Sequence, residues 1–330
     1  MARAAQPGGG GEQGGGARPV SPETILASWV AADPQSRALL EQVKKIAPAS
    51  STVLVRGESG TGKDLLAELL HYLGAHPEEP LVKIDCASLP LELVESELFG
   101  YEKGAFTGAS QAKRGRLELA GAGTLVLDEI AALSPAIQAK LLRVIEERRF
   151  ERLGGGRPLK VEARVVALTQ VDLERAVAEH AFREDLFYRL NVIPLLLPPL
   201  RERRADIRPL AAHFLRRLAE THRKPGSTLA PAALAALEHY AWPGNVRELR
   251  NLLERAVVFG AGGEIRAEEL PAQLRQGAAR GGETRMSLEE VERGHIAEVL
   301  DHCRGKKGRA AQILGISRKT LLEKRKKYHL

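Results

Sequence analysis

The spacing of hydrophobic positions changes character along this chain. Over the first two hundred residues, short and continuously apolar runs alternate with stretches in which apolar residues recur every three or four positions. Thr52–Arg56, Leu81–Asp85, Thr124–Leu127, Ala163–Thr169 and Val192–Leu197 read as strands, and Lys63–Tyr72 and Pro135–Glu147 as helices between them. Strands apolar on both faces and separated by helices predict an α/β fold, a parallel sheet covered on each side, over residues 25–200. After Pro198-Pro199-Leu200 the strand signal ends. Asp206–Ala219, Pro231–Tyr240 and Val246–Phe259 carry helical periodicity and predict a helical lid subdomain over 201–274.

Residues 275–286, rich in Gly, Ala and Arg without periodicity, read as a linker to a last module at 287–330. There Ser287 and Glu290 fit a capping box, and Leu288, Val291, His295, Val299 and Cys303 align on one helix face. Arg309–Leu314, the turn Gly315-Ile316-Ser317 and Arg318–Lys327 then form an all-α helix-turn-helix. Ala310 and Ala311 permit a close helix crossing, Gly315 supplies the turn, and Ser317 caps the second helix. At the other end, residues 1–24 are Gly-rich and read as a disordered tail.

Composition adds little until it is resolved by position. The 330 residues suffice for a large domain and a smaller one. No run is long and apolar enough for a membrane span or a secretory signal, so a cytoplasmic protein is expected. Cys86 and Cys303 have no metal-site spacing and read as ordinary thiols. The net charge is +7, yet Arg304–Leu330 alone holds ten Lys or Arg and one Glu, a local +9 that leaves −2 for the remainder. A basic C-terminal module suits nucleic acid, although a charge run by itself describes a solvated face equally well.

The chemistry concentrates after the strands. Gly57-Glu58-Ser59-Gly60-Thr61-Gly62-Lys63-Asp64 is a phosphate-cradling loop: glycines let successive N–H groups point at phosphate oxygens, Lys63 adds a positive charge, and a helix N-terminus follows. ATP is the expected substrate. Leu125–Glu129 is an apolar strand ending in two acids, where Asp128 would hold Mg²⁺ through water and Glu129 would polarise the attacking water. Arg183 and Arg189 suit a transferring phosphate, in cis or from a neighbouring subunit, while Glu184 and Asp185 offer them plain salt bridges. Arg247, in the first turn of a helix, fits a nucleotide-facing and a surface role equally. Gly104-Ala105-Phe106-Thr107-Gly108-Ala109 is too glycine-rich for core packing yet displays a Phe, which marks a contact loop. In the last module Arg318, Lys319 and Thr320 are placed near base edges, the capping Ser317 belongs to the same DNA-facing set, and Lys324 with its basic neighbours lies near phosphates of double-stranded DNA.

In this order the motifs closely resemble those of the sigma-54-dependent transcriptional activators, bacterial enhancer-binding proteins of the AAA+ ATPase superfamily. The likeness runs from about Asp33 to Leu330. It rests on Gly57–Lys63, Glu95–Gly100 leading into Gly104–Ala109, Gly123–Glu129, Phe182–Leu190, Leu197–Arg203 and Trp242–Leu249. The resemblance implies a ring-forming ATPase, typically a hexamer, held upstream of promoters by a Fis-type helix-turn-helix. Gly104–Ala109 would touch sigma-54 and remodel closed RNA polymerase complexes into open ones. It further implies Thr169 and Gln170 as a first sensor, Arg183 and Arg189 as trans-acting fingers, and Arg247 as a second sensor. About thirty residues precede the likeness, so no receiver or sensory domain is expected there.

Three positions depart from the family pattern. Asp64 stands for the usual Glu, and Gln170 for an Asn. Asp85 replaces the Asn that steadies the catalytic Glu, which removes a donor and adds like-charge repulsion beside Asp128 and Glu129. Two other readings follow: a DNA-binding regulator whose weak ATPase is an assembly switch, and an AAA+ remodeller of another protein.

Overall fold

A computed structural model describes residues 22–260, 262–274, 288–303 and 307–328. The first 21 residues of the expected tail, the expected linker 275–286 and the expected cap Ser287 lie outside the described residues. Two compact units emerge. One is drawn from residues up to Thr228 together with Ala241–Ile265, the other from Leu229–Tyr240 and the described residues from Arg266 onward.

In the first unit the strands are β1 (Val53–Arg56), β2 (Leu81–Asp85), β3 (Gly100–Tyr101), β4 (Lys113–Arg114), β5 (Thr124–Asp128), β6 (Arg149–Phe150), β7 (Leu159–Lys160), β8 (Arg164–Thr169) and β9 (Ile193–Leu196). Its helices are α1 (Pro22–Ser28), α2 (Pro34–Ile46), α3 (Lys63–Tyr72), α4 (Leu91–Phe99), α5 (Arg116–Leu119), α6 (Pro135–Glu147), α7 (Leu173–Ala178), α8 (Glu184–Leu190) and α9 (Ile207–Thr221). The five long strands form one parallel sheet in the order β2-β5-β8-β1-β9. All five lie within a residue of the sequence expectation at each end. Both faces are covered, as continuous apolar runs require. Leu54, Ile84, Leu125, Leu127, Val165 and Ala167 enter one core with α4 to α8, and Val53, Val55, Val126, Val166, Leu168 and Leu195 enter another with α1 to α3.

The order brings the C-terminal ends of β1, β8 and β5 side by side, which is where ligands enter open α/β sheets. Gly57 N donates to Thr169 O at 3.2 Å, and Cys86 N to Asp128 O at 3.0 Å, so the loops leaving these strands begin in register. Two small antiparallel pairs, β3 with β4 and β6 with β7, stand outside the sheet. Two-residue strands carry no periodicity, and neither pair was legible in the sequence.

The second unit holds α10 (Pro231–His239), whereas α11 (Asn245–Phe259) belongs to the first. It also holds α12 (Leu288–His302), α13 (Lys307–Ile313) and α14 (Arg318–Tyr328). Ala310 and Ala311 are buried at the expected crossing, Gly315 turns at φ +64°, and Ser317 Oγ accepts from Thr320 N at 3.0 Å. One expectation is corrected: His295 is exposed, and Ile296, with Val299 and Cys303, makes the buried face of α12. Both residues fit the spacing, and an aliphatic chain is cheaper to bury than an imidazole. No helix among the described residues is long and apolar enough to cross a membrane.

Candidate nucleotide site

The loop between β1 and α3 has the curl that its glycines allow. Gly60 and Gly62 sit at φ +77° and +109°, and a Cβ on Gly60 would collide with the Gly244 carbonyl. Among the described residues, nothing accepts from the N–H groups of Gly60, Gly62 and Lys63, which leaves them for an anion at the start of α3. Lys63 is buried, and its Nζ donates to Gly57 O at 2.9 Å and Glu58 O at 3.2 Å. Burial lowers its pKa, while Glu129, Asp128 and Asp64 act the other way.

Asp128 ends β5 beside this loop. Its Oδ1 accepts from Glu129 N at 3.0 Å, and its Oδ2 lies 2.8 Å from Lys83 Nζ. Lys83 also pairs with Asp64, in the first turn of α3. Glu129 holds φ +50°, an uncommon left-handed conformation for a residue with a side chain, and its carboxylate has no protein hydrogen bond or ion pair among the described residues. These oxygens suit a hard cation. Mg²⁺ is held by one or two carboxylates, water and phosphate, so it does not require a cluster of three protein ligands, and none occurs among the described residues. Lys83 was missed, although a lysine between Val82 and Ile84 in an apolar strand was a signal.

Asp85 lies opposite Asp128 in the sheet, and its Oδ1 accepts from Ala87 N at 2.9 Å and Ser88 N at 3.2 Å, so two backbone donors of its own turn stabilise its charge. What Asp85 lacks is a donor for Glu129. Burial first, then Asp85, Asp128 and Glu129, push the adjacent Cys86 thiol up to about 12, which leaves it a neutral wall of the site.

From the far side α11 and the turn before α9 close on the loop. Arg247 Nη1 donates to Ser59 Oγ at 2.9 Å, and Arg247 N to Gly60 O at 3.2 Å. Asn245, fully buried at φ +51°, accepts from Leu200 N at 2.8 Å and donates to Ser59 O at 3.0 Å and Glu58 Oε2 at 3.1 Å. Arg201 grips Glu58 with bonds of 2.6 and 2.9 Å, and this pair, helped by Asn245, lowers the Glu58 pKa to about 2. Buried Arg203 donates to Thr61 O at 2.6 Å. Asn245, Arg201 and Arg203 were not singled out from the sequence. Beside Thr61 and Gly62 opens a cleft of about 400 Å³ lined by Trp29, Val30, Leu65 and Phe214. Trp29 Nε1 and Arg203 Nε, on residues of its wall, are buried without partners among the described residues. An apolar slot with unused donors next to a phosphate loop fits a purine nucleotide.

The remaining expected residues fall in three places. Thr169 is buried at the end of β8, its hydroxyl taking Val171 N at 3.0 Å, and Gln170 is exposed. Arg183 pairs with Asp185 at 2.7 Å and Arg189 with Glu146 at 2.8 Å; neither bonds the phosphate loop of its own chain. The hairpin of β3 and β4 carries Gly104–Ala109. Gly104 N donates to Ala109 O at 2.9 Å, closing the loop. Phe106 is 48% exposed, and it is not without packing: its ring meets Tyr101 edge-on at 5.0 Å. The loop between β6 and β7 abuts the same hairpin. Gly154 is 2.8 Å from Ala105 at the position its Cβ would take, Glu102 N donates to Leu153 O at 3.0 Å, and Arg152 bridges Glu102 and Glu118 at 3.0 and 2.7 Å.

In the second unit Ser317, Arg318 and Lys319 are exposed at the start of α14, with Thr320 half-buried. The Arg318 guanidinium lies over Gly308, 2.5 Å from where a Cβ would stand. Lys324 is not free: it pairs with Glu292 of α12, whose other oxygen accepts from Tyr328 OH at 2.5 Å.

A parallel sheet with a phosphate loop after β1 and paired acids after β5 defines a P-loop protein of the AAA+ class. Residues 29–196 match the sigma-54 interaction domain, 201–287 the AAA+ ATPase lid domain, and 287–328 the bacterial regulatory protein Fis family. The chain belongs to the sigma-54-dependent transcriptional activator family, with a DNA-binding helix-turn-helix. It is 46% identical over 321 residues to regulatory protein AtoC of Escherichia coli (strain K12), covering 93% of this chain and 70% of that protein. With transcriptional regulatory protein ZraR of Klebsiella oxytoca it shares 48% over 308 residues, 92% of this chain and 70% of the relative. Crystal structures of NtrX from Brucella abortus superpose with TM-scores of 0.71 for the ADP complex and 0.69 for the ATP complex, at 32% and 34% identity. The ADP complex covers 91% of this chain and 70% of NtrX, and the ATP complex 91% and 69%.

Proposed function

We propose that this chain hydrolyses ATP within an oligomeric ring, a hexamer by resemblance. The cycle remodels closed complexes of sigma-54 RNA polymerase into open ones, while the helix-turn-helix holds the ring on upstream double-stranded DNA in the cytoplasm. One observation carries this reading. Lys63 of the phosphate loop, the adjacent Asp128 and Glu129 after β5, and Arg247 of α11 come together from three separate segments, and the chain that supplies them also bears the Gly104–Ala109 hairpin.

Within the Gly57–Asp64 loop the N–H groups of Gly60, Gly62 and Lys63 bind the phosphates together with the Lys63 ammonium, which exchanges its two carbonyl partners for phosphate oxygens. Asp128 would hold Mg²⁺, which would supply neutralisation of charge on the phosphate oxygens. The unengaged Glu129 carboxylate orients the attacking water and takes its proton. Thr169 and Gln170 sense the terminal phosphate from β8, and Arg247 from α11. Arg183 and Arg189 leave Asp185 and Glu146 to reach a neighbour's nucleotide. Gly104, Ala105, Phe106, Thr107, Gly108 and Ala109 meet sigma-54, Phe106 offering its exposed half. On DNA, Arg318, Lys319 and Thr320 reach the bases, with Ser317 and Lys324 nearer the backbone. NtrX crystallised with ADP and ATP supports the choice of nucleotide.

Steady-state ATPase rate per subunit is expected to rise with protein concentration as the ring assembles. Glu129→Gln is expected to bind ATP but to lose roughly 10²- to 10⁴-fold in turnover. Phe106→Ala is expected to hydrolyse ATP normally and to lose capture of sigma-54 with a transition-state phosphate analogue. Absence of turnover at every concentration permitting assembly overturns the ATPase reading; equal capture by wild type and Phe106→Ala overturns the loop assignment. The missing donor at Asp85 favours the second reading, a DNA-binding regulator whose weak ATPase is an assembly switch, and the same rates separate the two.

A further inference from the structure

Two lysines, not one, point their charge at the acids of this site. Lys63 belongs to the phosphate loop and rests on its carbonyls. Lys83 comes from the edge strand β2, opposite Val126 of β5 in the sheet, and its ammonium spans Asp128 Oδ2 at 2.8 Å and Asp64 Oδ1. The remaining oxygen of Asp128, Oδ1, is taken by Glu129 N. A cation approaching Asp128 therefore meets an oxygen already paired with a resident positive charge. Asp128 is mostly buried, its side chain 17% exposed, while Lys83 is 39% exposed and has water to move into. The ammonium is the more displaceable partner.

We infer that Lys83 is a built-in counter-ion of the cation-binding acids, joining Asp64 of α3 to Asp128 of β5 until a divalent cation arrives with the nucleotide and displaces it. Lys83 thereby sets the magnesium dependence of nucleotide binding. The inference rests on the nucleotide-site reading above and deepens it. One ammonium facing two carboxylates leaves a net negative site, which a divalent ion satisfies better. Before the ion arrives, Lys83 prevents the two acids from repelling each other, and its loss leaves α3 and β5 without their ionic tie. Lys83 competes with the ion without touching substrate, which makes it a positioning residue.

The experiment uses the full chain, a fluorescent ADP analogue and a magnesium titration, with thermal unfolding in EDTA as a second readout. Lys83→Met is expected to bring the magnesium midpoint for nucleotide binding down by about two- to fivefold, the range of a partly exposed ion pair. It is also expected to lower the Tm in EDTA, with the difference closing when magnesium and nucleotide are added. Lys83→Arg keeps the charge and is expected to follow wild type in both. A Lys83→Met midpoint equal to wild type overturns the inference. So does a Lys83→Met protein with the wild-type Tm in EDTA, which would show that the ammonium does not tie α3 to β5. A wild type that binds no nucleotide at any magnesium concentration overturns the nucleotide-site reading and this inference with it, an outcome distinct from equal midpoints.

Discussion

Asn245 is the sharpest place to test whether the turn before α11 holds the phosphate loop. Its amide is fully buried and uses both ends: Oδ1 takes Leu200 N, and Nδ2 serves Ser59 O and Glu58 Oε2. Asn245→Asp preserves the shape and the acceptor for Leu200 N but removes both donated bonds. It also sets a second carboxylate about where Nδ2 lay, 3.1 Å from Glu58. A buried carbonyl left without its donor costs about 1–3 kcal/mol, and the repulsion beside Glu58 adds to it, so a loss of about 2–4 kcal/mol is expected at neutral pH. The sign of the pH dependence follows from the new group. A carboxyl buried against another carboxylate has a folded pKa above its ordinary value, so the folded state binds the extra proton. The mutant's penalty is therefore smallest at low pH, grows as pH rises through the ordinary range near 4, and levels off above the raised folded pKa. Asn245→Ala removes the repulsion and is expected to show no such slope. Thermal unfolding of the three proteins between pH 5 and 8, with nucleotide affinity alongside, measures both effects. Equal stability of Asn245→Asp and wild type at pH 8, or parallel pH profiles for Asp and Ala, refutes the reasoning.

Glu58 gives a second pH effect. Its pKa is depressed to about 2 by Arg201 and Asn245, so its stabilisation is present above the ordinary value of 4.5 and lost as pH falls from there towards 2. Because the pair is 44% and 39% exposed, solvent limits its worth to about 1 kcal/mol, and Glu58→Gln is expected to flatten the acid limb of the Tm profile by that amount. On DNA, Lys326→Gln is expected to reduce the log-log salt slope by about 0.9, because that exposed lysine is one of the basic residues read as phosphate contacts. Lys324→Gln is expected to reduce it by less, since Glu292 already holds that charge, and to lower the melting temperature instead. Binding titrations from low to physiological salt measure both slopes.

The sheet was legible because its signal is local and redundant. Five apolar runs, each bounded by turn residues, fixed the strands to within a residue, and helix α3 was framed by the glycines before it. The phosphate loop, Asp128 and Glu129 were legible for a related reason: each lies at the end of such a strand, in a place the fold reserves for ligands. Lys83, Asn245, Arg201 and Arg203 were not. Their roles depend on partners between 19 and 187 residues away in the chain, and one sequence does not display which distant acid or carbonyl a side chain will meet. The pairs β3–β4 and β6–β7 failed for want of length, since two residues carry no alternation. His295 shows the limit of periodicity itself. Helical spacing admitted both His295 and Ile296, and only packing chose between them.

Asp85 joins the site to the hairpin along the chain. The turn it caps through Ala87 N and Ser88 N leads into α4, and α4 runs directly into β3 at the base of the Gly104–Ala109 loop. A displacement of that turn is therefore delivered to the hairpin through a single helix, and the hairpin is steadied from the side by Arg152 on Glu102 and Glu118. Asp85→Asn keeps the Oδ1 acceptor, so the turn survives, with an expected stability change within about 0.5 kcal/mol. It adds an amide donor at the position paired with Asp128 in the sheet, one residue before the unengaged Glu129 carboxylate. If the nucleotide state reaches the hairpin through this turn, Asp85→Asn raises sigma-54 capture per ATP hydrolysed while leaving the Tm in place. Combining it with Arg152→Met tests the path by a double-mutant cycle, because independent sites add and a shared lever does not. An Asp85→Asn protein with unchanged capture and turnover would show that residue 85 is only a turn cap, and that hairpin motion has to be driven from elsewhere in the site.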